Sequence, residues 1–69
     1  MYCFEVGHTY GNWQSALTRT VIARTAHYVT FNGGMRKRVT TVLIGDRRTE
    51  VVAYRTTPGL NVYAACIYD

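Results

Sequence analysis

The chain has 69 residues, 48% of them hydrophobic, and a formal net charge of +4. That length allows one domain, 1–69, and leaves little material to wall off a large cavity. Six tyrosines, two phenylalanines and a tryptophan at this modest charge exclude a disordered chain.

In chain order, Tyr2, Phe4 and Val6 alternate with Cys3 and Glu5, which predicts a first strand with one apolar face. Gly7 to Gln14 reads as a loop carrying Tyr10 and Trp13. Leu17 to Arg24 is a second strand, with Leu17, Val21 and Ala23 on one side. Tyr28 to Phe31 is a third, and Asn32-Gly33-Gly34 after it is a strong hairpin signal. Arg36 to Ile44 is a fourth strand, and Gly45-Asp46-Arg47-Arg48 a second tight turn. Thr49 to Arg55 is a fifth, and Pro58-Gly59 marks another turn.

The tail fits two states. Asn61 is a helix-capping residue, and Leu60, Tyr63, Ala64 and Ile67 would share one side of a helical turn. Val62, Tyr63 and Ile67 equally suit a closing strand; two alanines tilt the reading to the helical turn. The expected fold is all-β: a small five-stranded barrel of the SH3-like or OB-like kind, or a strongly bent antiparallel sheet, ending on that turn.

All eight basic residues lie between Arg19 and Arg55, opposed there only by Asp46 and Glu50, so that segment carries +6 and the rest −2. Seven of the eight are arginines, whose planar fork suits carboxylate and phosphate. A three-residue loop at Asn32-Gly33-Gly34 sets Phe31 against Met35 and Val29 against Lys37. Val29, Phe31, Met35, Val39 and Leu43 then line the inner face. Tyr28, Thr30, Arg36, Arg38, Thr40 and Val42 line the outer one. Pairing Ile44 with Thr49 at the second turn brings Arg38 opposite Arg55, a like-charge pair that an anionic ligand would relieve. Lys37 and Glu50 then point inward, as a pair or at the barrel rim. Trp13, in the polar loop Gly11-Asn12-Trp13-Gln14-Ser15, suits a binding anchor or a plug for one barrel end, and the gain of a large ring to a small core favours the plug.

The runs Val6-Gly7-His8-Thr9-Tyr10 and Val21-Ile22-Ala23-Arg24-Thr25-Ala26-His27-Tyr28-Val29-Thr30-Phe31 resemble small β-rich proteins of phages and mobile elements. In those, a VG-x-x-Y start precedes a V-I-x-R-T-x-x-x-V-T strand pair and a short basic strand. The resemblance covers roughly the first 40 residues and carries no known activity. It implies a small protein made in a bacterial cytoplasm and acting on a host or rival component.

Catalysis finds little support. No serine, histidine and aspartate group suggests a nucleophile with its base, and no glycine loop precedes a Lys-Ser or Lys-Thr. The set Cys3, His8, His27 and Cys66 lacks the close ligand pairs of a zinc site, so no metal or cofactor is expected. In a reducing compartment Cys3 and Cys66 are expected as buried thiols. The N-terminal residues show neither a basic segment nor an apolar one of a signal peptide, and the expected location is cytoplasmic.

The functional expectation is a non-enzymatic binding module. It would engage a larger intracellular protein through Tyr28, Arg36, Arg38, Arg55 and Trp13, blocking or adapting that partner. The alternative is a small basic nucleic-acid-binding protein, with arginines on phosphates and tyrosines stacked on bases. Homo-oligomerisation through an open sheet edge is compatible with either.

Overall fold

The computed structural model describes residues 1–14, 16–53 and 61–68. Its strands are β1 (Thr9–Gly11), β2 (Thr18–Arg24), β3 (Tyr28–Phe31), β4 (Met35–Arg38), β5 (Thr40–Ile44), β6 (Arg47–Ala53) and β7 (Asn61–Ile67). They form one antiparallel sheet in the order β4-β3-β2-β1-β7-β6-β5.

The two outermost strands of that order are neighbours in sequence, separated only by Val39. A single run from Met35 to Ile44 therefore pairs with β3 over its first half and with β6 over its second. At the bend the Val39 N–H donates to the His27 carbonyl at 2.9 Å. A sheet whose opposite edges are tied by one residue has to curl, and the result is a strongly curled half-barrel. The all-β, bent-sheet expectation holds, with seven strands in place of five. The predicted fourth strand divides at Val39, and two further strands lie where a loop and a helical turn were predicted.

The turns set the registers. Asn32-Gly33-Gly34 forms the three-residue loop, with Phe31 opposite Met35 and Val29 opposite Lys37 as predicted; both glycines take positive φ, 88° and 83°. The second turn is tighter than predicted. Gly45, at φ 63°, and Asp46 make a two-residue loop that pairs Ile44 with Arg47 and Val42 with Thr49. The shift from the predicted pairing of Ile44 with Thr49 is two residues. It keeps every side chain on its predicted face but changes every cross-strand partner.

The core comprises Phe4, Tyr10, Val21, Val29, Phe31, Val52, Val62 and Ala64, with Leu17 and Val39 packed against it. Phe4 meets Tyr10 edge-on at 5.0 Å between ring centroids and Phe31 edge-on at 5.8 Å. The plug expected of Trp13 is therefore Phe4, which arrives from the N-terminal segment. That segment is not a strand, although its alternation predicted one. Only Tyr2 pairs, in a parallel bridge to Thr49, while Val6 is exposed. The ladder between β6 and β7 covers only Val51–Ala53. Beyond it, Tyr2 donates its N–H to the Arg48 carbonyl at 3.0 Å and accepts from the Glu50 N–H at 2.9 Å.

Further expectations are corrected. Met35 and Leu43, expected on the inner face, are both exposed, Leu43 at 65%, each near one end of its strand beside a glycine turn. Ala23 leaves the Leu17–Val21 side because a bulge between Val21 and Ala23 inserts Ile22 and reverses the alternation. The tail is β7, with Val62, Ala64 and Cys66 buried on alternate positions. Cys3 and Cys66 are free thiols; Cys66 is buried as expected, on β7, whereas Cys3 is exposed, because the N-terminal segment that carries it lies outside the strands. No helix among the described residues is long and apolar enough to cross a membrane.

Candidate functional site

β3 and β4 present the basic face. The hairpin register places Tyr28 opposite Arg38 and Thr30 opposite Arg36. Arg36 leans diagonally across the pair, its guanidinium carbon 4.0 Å from the Tyr28 ring centroid, while that of Arg38 lies 5.9 Å from the same centroid. Two exposed guanidiniums thus share one tyrosine ring, in the arrangement that cation–π attraction favours. Neither forms an ion pair with a carboxylate among the described residues. Arg36, Lys37 and Arg38 line, with Thr40 and Ala53, an open cleft of about 450 Å³ beside the Val39 bend.

Three of the predicted binding residues, Tyr28, Arg36 and Arg38, are therefore brought together. Arg55 lies outside the described residues. The proposed opposition of Arg38 and Arg55 loses its basis, because the register it required is replaced by the tighter turn and Arg38 pairs with Tyr28 on β3. Lys37 is half-buried and lines the basic cleft. Glu50, expected inward with Lys37, is inward but bound to Arg24. Both guanidinium arms engage its carboxylate, at 2.5 and 2.6 Å, and the Phe4 N–H donates to the same group at 2.8 Å.

Trp13 belongs to a second cleft, of about 270 Å³, lined by Asn12, Trp13, Gln14, Ile44, Asn61 and Tyr63. It shares no described lining residue with the basic cleft. Its ring is 59% exposed and stacks on Tyr63 with centroids 5.2 Å apart and a 30° tilt. Asn12 fixes the loop from a buried position. Its side-chain oxygen Oδ1 accepts the Gln14 N–H at 3.0 Å, an Asx-turn around Trp13, and its side-chain Nδ2 donates to the Asn61 backbone carbonyl at 2.9 Å. The Tyr68 hydroxyl also donates to the Asn12 carbonyl, at 3.2 Å. Sequence reasoning singled out Trp13 but missed Asn61 and Tyr63. Nothing local links a loop tryptophan to a strand some fifty positions later.

The third cleft lies over the N-terminal segment, where Glu5 and His8 approach to 3.8 Å beside Tyr2, Cys3 and Tyr10. Tyr10 is buried; its hydroxyl accepts from the Glu5 N–H at 2.9 Å and donates to the Cys3 carbonyl at 3.4 Å, which anchors that segment.

No protein-family model matches the chain, and neither the curated proteins nor the solved structures hold a significant match.

Proposed function

We propose that this chain is a small non-enzymatic binding module that engages an acidic surface of a larger protein through Tyr28, Arg36 and Arg38. The observation that carries the reading is the pair of exposed guanidiniums held over one ring, without a carboxylate partner among the described residues. Stacking on Tyr28 orients both forks before binding, so less side-chain freedom is lost when a carboxylate arrives. Lys37 adds a third cation in the adjoining cleft. The resemblance to proteins of phages and mobile elements would make the partner a host component that is blocked or adapted.

Nucleic acid is the competing ligand. It would draw on the same cations but also need ring faces for base stacking, and Arg36 already lies over the Tyr28 ring. The test is a nuclease-treated pull-down with the native chain and with Arg36→Ala/Arg38→Ala in parallel. One stoichiometric protein, retained by the native chain and lost with the double variant, is the expected result. Capture of nucleic acid alone before nuclease treatment, with affinity falling steeply as salt rises, would overturn it.

A further inference from the structure

We infer that the Trp13–Tyr63 cleft is a binding site for a neutral sugar ring, a pyranose unit of a glycan. The inference begins with the platform. Trp13 has Tyr63 behind it and exposes most of its surface to solvent. The Asx-turn and the Asn12–Asn61 bond hold the loop against β7, so the platform is built before any ligand arrives. A large exposed indole with its back supported is the usual partner of a flat apolar ring face, and the C–H face of a pyranose is one.

The polar groups around the platform suit hydroxyls rather than charges. Every described residue lining the cleft is uncharged. Asn61 Nδ2 donates to the Tyr63 hydroxyl oxygen at 3.2 Å, which leaves the hydroxyl proton to donate elsewhere. The Gln14 side chain, the Asn61 side-chain oxygen Oδ1 and the indole N–H make no hydrogen bond to another described residue. Together these groups offer donors and acceptors side by side, which matches hydroxyls that both give and take a hydrogen bond. The volume is just below the range of about 300–1,000 Å³ common for drug-sized ligands, so one ring enters and further rings of a glycan lie over the surface.

Other occupants fit less well. A nucleotide would bring phosphate to a cleft whose described lining carries no cation. A proline-rich segment docks in aromatic-lined grooves, and Trp13 and Tyr63 are in mutual contact, with no slot between them. An acidic peptide would choose the arginine face.

Because the chain has one tryptophan, its fluorescence reports on this cleft alone. The experiment titrates the full chain with maltohexaose, cellohexaose, mannohexaose and chitohexaose, following tryptophan emission and, separately, the amide resonances of Gln14 and Asn61. The expected result is a saturable shift in both readouts with at least one hexasaccharide. Gln14→Ala, at an exposed loop position, should weaken that binding about tenfold, as loss of one well-placed hydrogen bond does. Arg36→Ala/Arg38→Ala should leave it unchanged, so this inference and the proposed function fail separately. No saturable shift with any of the four up to their solubility limits would overturn it. So would saturable binding of oligoproline or adenosine monophosphate in place of the sugars.

Discussion

Arg24 on β2 holds both carboxylate oxygens of Glu50 on β6, across the inside of the curled sheet. Glu50 is only 6% exposed, and Arg24 remains partly open to water. Burial pushes the Glu50 carboxyl up. The Arg24 hydrogen bond, the Phe4 N–H and the Arg24 charge outweigh burial and hold its pKa below the ordinary carboxylate value. The same hydrogen bond keeps the Arg24 guanidinium more firmly protonated than a free one. A carboxyl depressed in the folded state stabilises that state above its unfolded pKa of about 4.3, and the contribution is lost as pH falls through the lower folded value. Urea midpoints should therefore drop between neutral and acid pH in the native chain, and Glu50→Gln should flatten part of that drop. Equal slopes for the two proteins would contradict the pairing.

At neutral pH, Glu50→Gln should cost about 3 kcal/mol, the low end of the range for breaking a buried pair, because Arg24 regains water in part. Replacing both partners with leucine removes the stranded charge and should recover some of that loss. Recovery should stay incomplete, since the Phe4 N–H would lose its carboxylate acceptor. Chemical denaturation of Arg24→Leu, Glu50→Leu and the double variant measures the coupling.

Gly11→Ala is expected to destabilise by about 1–3 kcal/mol, the scale of overpacking. A Cβ there would stand 2.6 Å from the Leu17 carbonyl oxygen and 2.7 Å from Tyr68 Cε1. The tyrosine ring can give way and the backbone oxygen cannot. In a Tyr68→Ala background the further cost of Gly11→Ala should shrink without vanishing, as a thermal-melt cycle would show.

The legible parts of this fold were those written locally. Asn32-Gly33-Gly34 fixes its own hairpin, and with it the meeting of Tyr28, Arg36 and Arg38 on one face. The turn at Gly45 was two residues tighter than composition suggested, because Arg47 and Arg48 look like turn residues but pair in β6. β1 is three residues long, too short for any periodicity to register. In β7 the buried alternation runs through Val62, Ala64 and Cys66, small residues that the strand's packing demands and that its propensity understates. The aromatic cleft joins residues from the β1–β2 loop, β5 and β7, and only the fold brings those together.

Asn12→Ala tests whether one buried amide positions Trp13. The change removes two side-chain bonds and leaves the Gln14 N–H and the Asn61 carbonyl without those partners. A loss of about 1–3 kcal/mol is expected for such groups. The loop should also loosen, shifting the single tryptophan's emission to the red and weakening its near-ultraviolet dichroism. Unchanged spectra would mean that the stack on Tyr63 alone places the ring.

Tyr28→Leu and Tyr28→Phe separate ring from hydroxyl on the basic face. Phenylalanine keeps the surface under Arg36 and should preserve partner binding. Leucine removes it, at a stability cost of about 0.5–1 kcal/mol for an exposed cation–π contact. It should also weaken binding, because the two guanidiniums would be ordered only on association. Calorimetry with the captured partner reads both effects.

Leu43 stands on the edge strand β5, largely exposed and opposite Arg48 on β6. Its burial contributes little, so the consequence of a change there is set by the cross-strand neighbour and by the edge. Leu43→Glu places opposite charges face to face, worth roughly 0.2–1 kcal/mol, and Leu43→Lys places like charges there with the reverse sign. Both substitutions put a charge on an edge whose five residues, Thr40–Ile44, carry none, and charged edges resist pairing with a second copy. Self-association measured by sedimentation at high concentration should therefore fall in both variants. Thermal stability should rise in the first and drop in the second. The gap between them should narrow as salt is added, because both charges are exposed and screening weakens attraction and repulsion alike. A gap that persists at high salt would show that side-chain shape, rather than the facing charge of Arg48, governs that position.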